Sequence, residues 1–127
     1  MSMRFLSEEW AQAVMEAVNG NDEFAKAAGT STARIQQVIT TPDGETHYWT
    51  TVEEGKLGLG IGDLDNVDAT ITQNYDTAVA LAKREINPVT SFMMGKIKID
   101  GNMGMLMGLV GALGKMADAM GTLDVAY

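Results

Sequence analysis

Residues 33–52, ARIQQVITTPDGETHYWTTV, decide the fold class, because they hold two strand patterns separated by a turn. Residues 33–39 alternate with period two, which is typical of a β-strand with one buried face. Thr41-Pro42-Asp43-Gly44 follows, with proline and glycine at positions that a reverse turn favours. Thr46–Val52 is rich in β-branched and aromatic residues, as returning strands are. The stretch therefore predicts a β-hairpin.

Three further strands are predicted after the hairpin. They are Lys56–Gly62 with Leu57, Leu59 and Ile61 on one face, a strand with Val67, Ala69 and Ile71 on one face, and Lys96–Gly101. A helical pattern follows Asn74, and Pro88 starts a second short helix that ends at Gly95. Because about twenty residues separate the fourth strand from the fifth, we expect a crossover there rather than a hairpin.

Helical patterns also flank the strands. Ser7 is a candidate N-cap for a helix in which Trp10 and Val18 lie on one apolar face, and a short helix follows Asn21. A last helix is predicted from about Asn102 to Met120. We therefore expect residues 1–127 to form a single α+β (α/β) domain. Its sheet would have about five mostly antiparallel strands with one crossover strand, and helices would cover it and enclose an apolar cavity.

The amino-acid composition excludes several classes of protein. The 127 residues are 46% hydrophobic, which is enough for one core. The absence of cysteine excludes disulfides, thiolate metal sites and a cysteine nucleophile, and it fits a reducing compartment such as the cytoplasm. The longest apolar run, 103–114, would span ~18 Å as a helix, against ~30 Å for a bilayer core. We expect a cytoplasmic chain with no transmembrane segment.

The charge balance argues against one class of partner. Seventeen acidic residues stand against nine basic ones, giving a net charge of −8. Such a field repels phosphate backbones and anionic lipid surfaces. The sequence therefore predicts no nucleic-acid partner.

The last predicted helix carries the clearest functional signal. Its apolar side chains cover well over a third of the circumference, more than one docking face requires: Met103, Met105, Leu106, Leu109, Val110, Leu113, Met116, Ala117 and Met120. Methionine fills irregular space and repacks readily, while each interior glycine weakens a helix by ~1 kcal/mol. Our hypothesis is a pliable helix that closes one side of a cavity and shifts to admit a ligand. The alternatives are a core helix packed closely through its glycines, or the interface helix of a homodimer.

Two motifs in order give a family resemblance. Ser91-Phe-Met-Met-Gly-Lys-Ile-Lys-Ile-Asp-Gly101, with Asp68-Ala-Thr-Ile-Thr72 upstream and the apolar helix downstream, resembles the sterol carrier protein 2 family of lipid-binding domains. The resemblance covers nearly the whole chain. It implies a five-stranded sheet, helices and an apolar tunnel for sterols, fatty acids, acyl-CoA, phospholipids or isoprenoids. It implies neither catalytic residues nor a cofactor.

The resemblance also assigns a ligand site. Apolar side chains of the Phe92–Gly101 motif and of the last helix would line or close the tunnel: Phe92, Met93, Ile97, Met103, Leu106, Leu109, Val110, Leu113 and Met116. The expected function is non-covalent carriage of an apolar ligand. Two alternatives remain open, namely a non-catalytic dimerisation or interaction module, and an accessory domain that presents a lipid to a partner enzyme.

Motifs for other chemistry are incomplete. His47 is the sole histidine and has no cysteine or second histidine to form a metal site, so it is interpreted as a strand residue. The calcium-like run 63–74 has Asp68 where the loop needs glycine and Asn74 where it needs glutamate. Gly58-x-Gly60-x-Gly62 lacks dinucleotide spacing, and its glycines are predicted to keep one strand face bare where another backbone or a ligand approaches. We therefore expect no metal and no enzymatic activity.

Overall fold

A five-stranded sheet with helices packed on one face organises the chain. The computed structural model describes residues 3–20, 22–83, 85–86 and 88–126. The strands are β1 (Met3–Arg4), β2 (Ala33–Thr41), β3 (Gly44–Glu53), β4 (Lys56–Ile61), β5 (Ala69–Asn74), β6 (Ile97–Gly101) and β7 (Val125–Ala126). The helices are α1 (Glu8–Asn19), α2 (Asp22–Ala28), α3 (Tyr75–Ala82), α4 (Pro88–Met93), α5 (Met103–Gly108) and α6 (Val110–Met120).

The predicted hairpin is the centre of the sheet. Strands β2 and β3 pair antiparallel from Ala33 opposite Val52 to Thr41 opposite Gly44, with a two-residue turn between them. Gly44 has φ 138°, a conformation that glycine adopts without strain. The strand order is β4-β3-β2-β5-β6, and one pair among these five strands is parallel. The predicted fold class, a mostly antiparallel five-stranded sheet with helices, is confirmed.

The position predicted for the crossover was wrong. Strands β5 and β6 are antiparallel neighbours, and Ile97 lies opposite Gln73 at the end of the sheet where β5 stops. Helices α3 and α4 therefore form one long hairpin connection. The parallel pair is β2 and β5, so the crossover is the segment 62–68, which leaves the edge strand β4.

A buried glutamine holds that crossover segment against the sheet. Gln36 Nε2 donates to the carbonyl oxygens of Tyr48 and Gly62 at 3.0 and 3.1 Å, and Gln36 Oε1 accepts from the backbone N–H of Leu64 at 2.8 Å. Arg34 Nη2 donates to the carbonyl oxygen of Asp65 at 2.7 Å. These bonds satisfy backbone groups of a loop that has no ladder of its own.

Caps and one side-chain clamp fix the first helices. Trp10 N donates to Ser7 Oγ at 3.1 Å, which confirms the predicted N-cap of α1, and Thr77 N donates to Asn74 Oδ1 at 2.8 Å at the start of α3. At the other end of α1, the Asn19 amide accepts from Leu57 N at 2.8 Å and donates to Leu57 O at 2.9 Å. This pair of bonds ties α1 to the edge strand β4.

The single last helix that the sequence predicted is two helices. The chain leaves helical geometry at Leu109, with φ −102° and ψ 2°, and Leu109 N donates to Leu106 O three residues back rather than four. Gly108 precedes the break, and glycine disfavours a continuous helix because it loses more backbone freedom on folding than other residues. Helix α6 packs on α1 and α2, with Ala112 fully buried. In the described chain no helix is long and apolar enough to cross a bilayer.

The sequence did not predict the smallest sheet. Strands β1 and β7 pair in parallel, with Met3 opposite Val125, and Met3 N donates to Asp124 O at 2.8 Å. Two-residue strands are too short to show a period in sequence. Their pairing places Phe5 in the core, where its ring meets Trp10 at a centroid distance of 5.1 Å.

Candidate ligand-binding cavity

A cavity of about 760 Å³ lies between the sheet and the helices α3 to α6. Its sheet wall consists of Gln37, Tyr48, Ile71, Gln73, Ile97 and Ile99. Its helical wall and rim consist of Phe5, Ala78, Leu81, Ala82, Glu85, Ile86, Phe92, Met93, Met103, Leu106, Met107, Leu113, Gly114, Met116 and Met120. Small-molecule sites in proteins usually have volumes of roughly 300–1,000 Å³, so this space can hold a whole ligand.

Strand register builds the sheet wall. Tyr48 lies opposite Gln37, Gln37 opposite Ile71, and Ile71 opposite Ile99. Because alternate side chains of a strand point to the same face, these four residues form one row across four strands. In the next row, Gln73 pairs with Ile97. The wall is thus apolar except at three positions.

Small side chains create the space opposite the sheet. Ala78 and Ala82 lie on the buried face of α3, and Gly114 lies on α6. A Cβ added at Gly114 would meet no atom within 4 Å. The helices therefore approach the sheet without filling the volume between them.

Methionines surround the opening of the cavity. Met93 on α4 and Met107 on α5 line it and are 82% and 56% exposed, whereas the neighbouring Leu106 is 5% exposed. Met103 also lines the cavity and is 36% exposed. We call Met93, Met103 and Met107 the mouth. Flexible thioether side chains there can rearrange around a passing ligand.

The electrostatics of the wall are close to neutral. Glu85, at the exposed rim, is the one charged residue among the described residues of the wall. Tyr48 is buried, and its burial raises the pKa of its hydroxyl far above the ordinary value, so the phenol stays uncharged. The cavity is thus suited to the uncharged part of a ligand.

Besides Tyr48, two glutamines are the polar side chains of the sheet wall. Gln37 is 8% exposed and Gln73 is 7% exposed, and in the described chain the Oε1 atom of each has no hydrogen-bond partner. In the sequence, Gln37 belongs to the alternating strand pattern of residues 33–39 and was not assigned to the ligand site. Its position between Ile35 and Ile39, with the same parity as these buried residues, is the signal that would have placed it inside.

Most residues of the expected site lie at the cavity. Seven of them line it: Phe92, Met93, Ile97, Met103, Leu106, Leu113 and Met116. Leu109 lies elsewhere, because the break between α5 and α6 turns its side chain into the core, where it is 1% exposed. The side chain of Val110 falls outside the described part. Sequence reasoning missed the contributions of Phe5, Tyr48 and the helix α3.

The remaining sequence motifs lie on other faces. His47 is on the outer face of β3, where Nδ1 lies 2.5 Å from Asp63 Oδ1 and Nε2 lies 3.1 Å from Glu45 Oε1. The Asp68 carboxylate accepts from Arg34 N at 2.9 Å. Thus the aspartates of the calcium-like run contact separate partners. Gly60 leaves room for the indole of Trp49, so a side chain of the neighbouring strand approaches this face rather than the backbone or ligand that the sequence analysis predicted.

Fold and cavity together define an α+β domain with an apolar chamber between a sheet and its covering helices. The family model described as "SCP-2 sterol transfer family" matches residues 5–114. The chain therefore belongs to this family, and the family resemblance noted from the sequence is confirmed.

Curated relatives agree with this assignment. Sterol carrier protein 2 of Bos taurus is 38% identical over 89 residues, which are 69% of this chain and 16% of that protein. Non-specific lipid-transfer protein-like 1 of Caenorhabditis elegans is 28% identical over 109 residues, which are 84% of this chain and 89% of that protein. The chain thus spans about a sixth of the length of the bovine relative and most of the nematode one.

Solved structures share the fold. A solution structure from Thermus thermophilus, described as possibly sterol carrier protein, superposes with a TM-score of 0.83 at 18% identity, covering 99% of this chain and 94% of that one. A crystal structure of sterol carrier protein 2 gives 0.81 at 17% identity, with coverages of 94% and 99%. The sec-alkylsulfatase Pisa1 of a Pseudomonas species gives 0.55 at 20% identity over 81% of this chain and 14% of its own.

Proposed function

We propose that residues 1–127 form one carrier domain that binds an apolar ligand without covalent chemistry in the cavity beneath α5 and α6. The observation that carries this proposal is a cavity of about 760 Å³ with an almost wholly apolar wall, in a chain of the SCP-2 sterol transfer family. The names of the bovine and nematode relatives refer to a sterol carrier and to lipid transfer. A lipid is accordingly the proposed ligand class.

Apolar burial supplies the binding energy in this proposal. Transfer of ligand surface out of water contributes roughly 25 cal/mol per Å², before the cost of association is subtracted. The proposed contacts are Phe92, Met93, Ile97, Met103, Leu106, Leu113 and Met116. Most of these side chains are flexible methionines or aliphatic residues, which offer no polar group that would select one ligand. The proposed domain therefore accepts a range of lipid tails.

Helix α5 is the proposed gate. It has six residues, two of them glycine, and its exposed Met107 forms part of the mouth. Glycine lowers helix stability by ~1 kcal/mol per interior site, so this short segment opens at low cost. Movement of α5 away from the sheet would admit the ligand through the mouth.

The proposed domain is a carrier, with no catalytic role and a cytoplasmic site of action. The lack of cysteine supports a reducing compartment. A second candidate is an accessory domain that delivers a lipid to a partner enzyme. It is favoured by 27% identity over 97 residues to hydroxysteroid dehydrogenase-like protein 2 of Xenopus tropicalis, of which the match covers 22%.

Native mass spectrometry of the purified chain tests the carrier proposal. We expect a bound mass at near one-to-one stoichiometry, and organic extraction then identifies its class. Delipidated protein should take up one molecule from a panel of fatty acid, sterol, phospholipid and isoprenoid. A chain that purifies empty and takes up none of the panel would rule out carriage. A dimer whose mass distribution depends on protein concentration and ignores lipid would instead support the interaction module.

A further inference from the structure

Two buried amides lie side by side on the sheet wall of the cavity. Gln37 on β2 is opposite Ile71 on β5, and Gln73 is two residues further along β5. Such diagonal neighbours on one sheet face are roughly 7–8 Å apart, a distance that a small group on a ligand can bridge. Both side chains line the cavity.

The protein leaves these amides without partners for their oxygens. Gln37 is 92% buried and Gln73 is 93% buried, since their exposures are 8% and 7%. In the part of the chain that the structure describes, neither Oε1 accepts a hydrogen bond. Buried polar atoms are normally paired, so two adjacent exceptions in a cavity wall call for a partner that enters the cavity.

A comparison with Gln36 shows that an unpaired amide oxygen is not a general property of glutamines on strand β2. Gln36 is also buried, at 7% exposure, but its amide bonds to the carbonyl oxygens of Tyr48 and Gly62 and to the N–H of Leu64. Its side chain points to the outer face of the sheet. Both amide atoms of Gln36 are thus paired within the protein, whereas the Oε1 of the neighbouring Gln37 is unpaired on the cavity face, which indicates different roles for these two residues.

The charges of the wall select the partner. No lysine, arginine or histidine occurs among the described lining residues, and the one charged residue there is Glu85. An anionic headgroup held at these glutamines would therefore find no counter-charge among the described wall residues, and burial of an unpaired charge is strongly unfavourable. Each amide, by contrast, carries an acceptor oxygen and a donor nitrogen.

Resting on the proposed function, we propose that Gln37 and Gln73 are a polar anchor for the uncharged hydroxyl headgroup of a lipid. The hydroxyl donates its single hydrogen to the Oε1 of one glutamine, which pairs one of the two oxygens, and accepts from the NH₂ group of the other. The tail then extends along Ile71, Ile99 and the methionines of α5 and α6. The cavity thereby favours lipid alcohols over lipid anions.

Displacement of the neutral dye Nile red from the whole chain tests the anchor. The competitors are hexadecan-1-ol, methyl hexadecyl ether and hexadecanoate, which share one tail and differ in headgroup. We expect the wild-type chain to bind the alcohol about tenfold more tightly than the ether, the effect of one well-made hydrogen bond at a buried site. Hexadecanoate should bind more weakly than the alcohol at neutral pH and gain affinity as its carboxylate is protonated.

Substitution of the two glutamines distinguishes their hydrogen bonds to the headgroup from the apolar contacts of the cavity with the tail. The double variant Gln37→Met, Gln73→Met retains side-chain length, and we expect it to bind alcohol and ether equally, with ether affinity within about twofold of wild type. Gln12→Met on the exposed side of α1 is the matched control and should keep the tenfold preference. If the double variant fails to fold, each single variant should lose part of the preference.

The outcomes distinguish the anchor from the function on which it rests. Equal binding of alcohol and ether by the wild-type chain, or tightest binding of hexadecanoate at neutral pH, overturns the anchor and leaves the carrier intact. A preference that survives in the double variant also overturns it. Failure of all three competitors to displace the dye contradicts the carrier itself.

Discussion

The indole of Trp10 meets the phenol ring of Tyr48 edge to face, with centroids 5.5 Å apart and an interplanar angle of 88°. Tyr48 lines the cavity, and Phe5, which also lines it, contacts the same indole. Trp10 therefore lies directly behind the cavity wall. Trp49 is on the opposite face of the sheet, against Gly60.

The two tryptophans should respond differently to ligand. Because Trp10 touches two wall residues, occupation of the cavity should change its emission, while Trp49 should be unaffected. We expect Trp49→Phe to retain the fluorescence change on titration with lipid and Trp10→Phe to lose it. A change that disappears with Trp49 would place the ligand on the other face of the sheet.

Two glycines of α6 offer a matched pair of substitutions. Gly114 lines the cavity and Gly111 is exposed, and a Cβ at either position meets no atom within 4 Å. We expect the leucine side chain of Gly114→Leu to extend into the cavity and weaken binding of a bulky lipid by about tenfold or more. Once the lipid fills the cavity, extra side-chain volume there overpacks it at a cost of ~1–3 kcal/mol. Gly111→Leu should bind as wild type.

Thermal stability shows whether a loss of binding in Gly114→Leu comes from a blocked cavity or from a destabilised fold. Replacing glycine inside a helix stabilises it by ~0.5–1 kcal/mol, so Gly114→Leu should unfold at the wild-type temperature or above while binding less. Thermal unfolding and lipid titration on the same samples measure both effects. Equal loss of binding in Gly111→Leu would mean that the helix surface, rather than the cavity, is the site.

Gly60 is expected to tolerate no side chain while Trp49 is present. A Cβ there would lie 2.6 Å from Trp49 Cε2, so Gly60→Ala forces the indole to move. We expect a loss of ~1–3 kcal/mol in the free energy of unfolding, measured by urea denaturation. In a Trp49→Ala background the same substitution should be nearly neutral, and a persistent loss there would point to backbone strain instead.

Stability should also depend on the protonation of His47. Hydrogen bonds to Asp63 and then to Glu45 raise the pKa of this imidazole above its ordinary value of 6.5. The native state thus binds the proton more tightly than the unfolded state does. The resulting stabilisation is fully present below pH 6.5 and is lost as the pH rises through the raised pKa.

Urea midpoints over a pH series measure this linkage. We expect the difference between wild type and His47→Gln to be largest at mildly acidic pH and to shrink as pH rises, because the variant carries no titrating group at this position. Asp63→Asn should reduce the pH dependence more than Glu45→Gln does, since the hydrogen bond to Asp63 is the largest contribution to the raised pKa of His47. A difference that stays constant with pH would contradict the linkage.

Local features were predictable from adjacent residues. The hairpin 33–52 follows from a period of two on both sides of a proline-glycine turn, and Ser7 and Asn74 begin helices because their side chains bond to amides three residues ahead. The methionines at the mouth were recognisable as an unusual apolar excess. In each case the interacting groups lie close together along the chain.

The break at Leu109 was not predictable from periodicity. Residues 103–120 follow a helical pattern throughout, and the apolar arc assigned to one long helix included Leu109. The tighter turn after Gly108 directs Leu109 into the core, so an Asp at this position would be expected to unfold the chain and would not report on ligand binding. A polar substitution intended to test ligand binding therefore belongs at a cavity-wall residue such as Leu113.

By itself, the sequence determined the element types, the hairpin, the sheet class and the family, because these depend on residues near one another or on the order of motifs along the chain. The tertiary structure alone decided that β5 lies beside β2, which places Gln37 and Gln73 on one wall. It also placed two small residues, Ala78 of α3 and Gly114 of α6, in the wall opposite the sheet, which leaves the cavity unfilled. Both outcomes depend on packing between segments far apart in sequence, and no local pattern encodes which distant surfaces will meet.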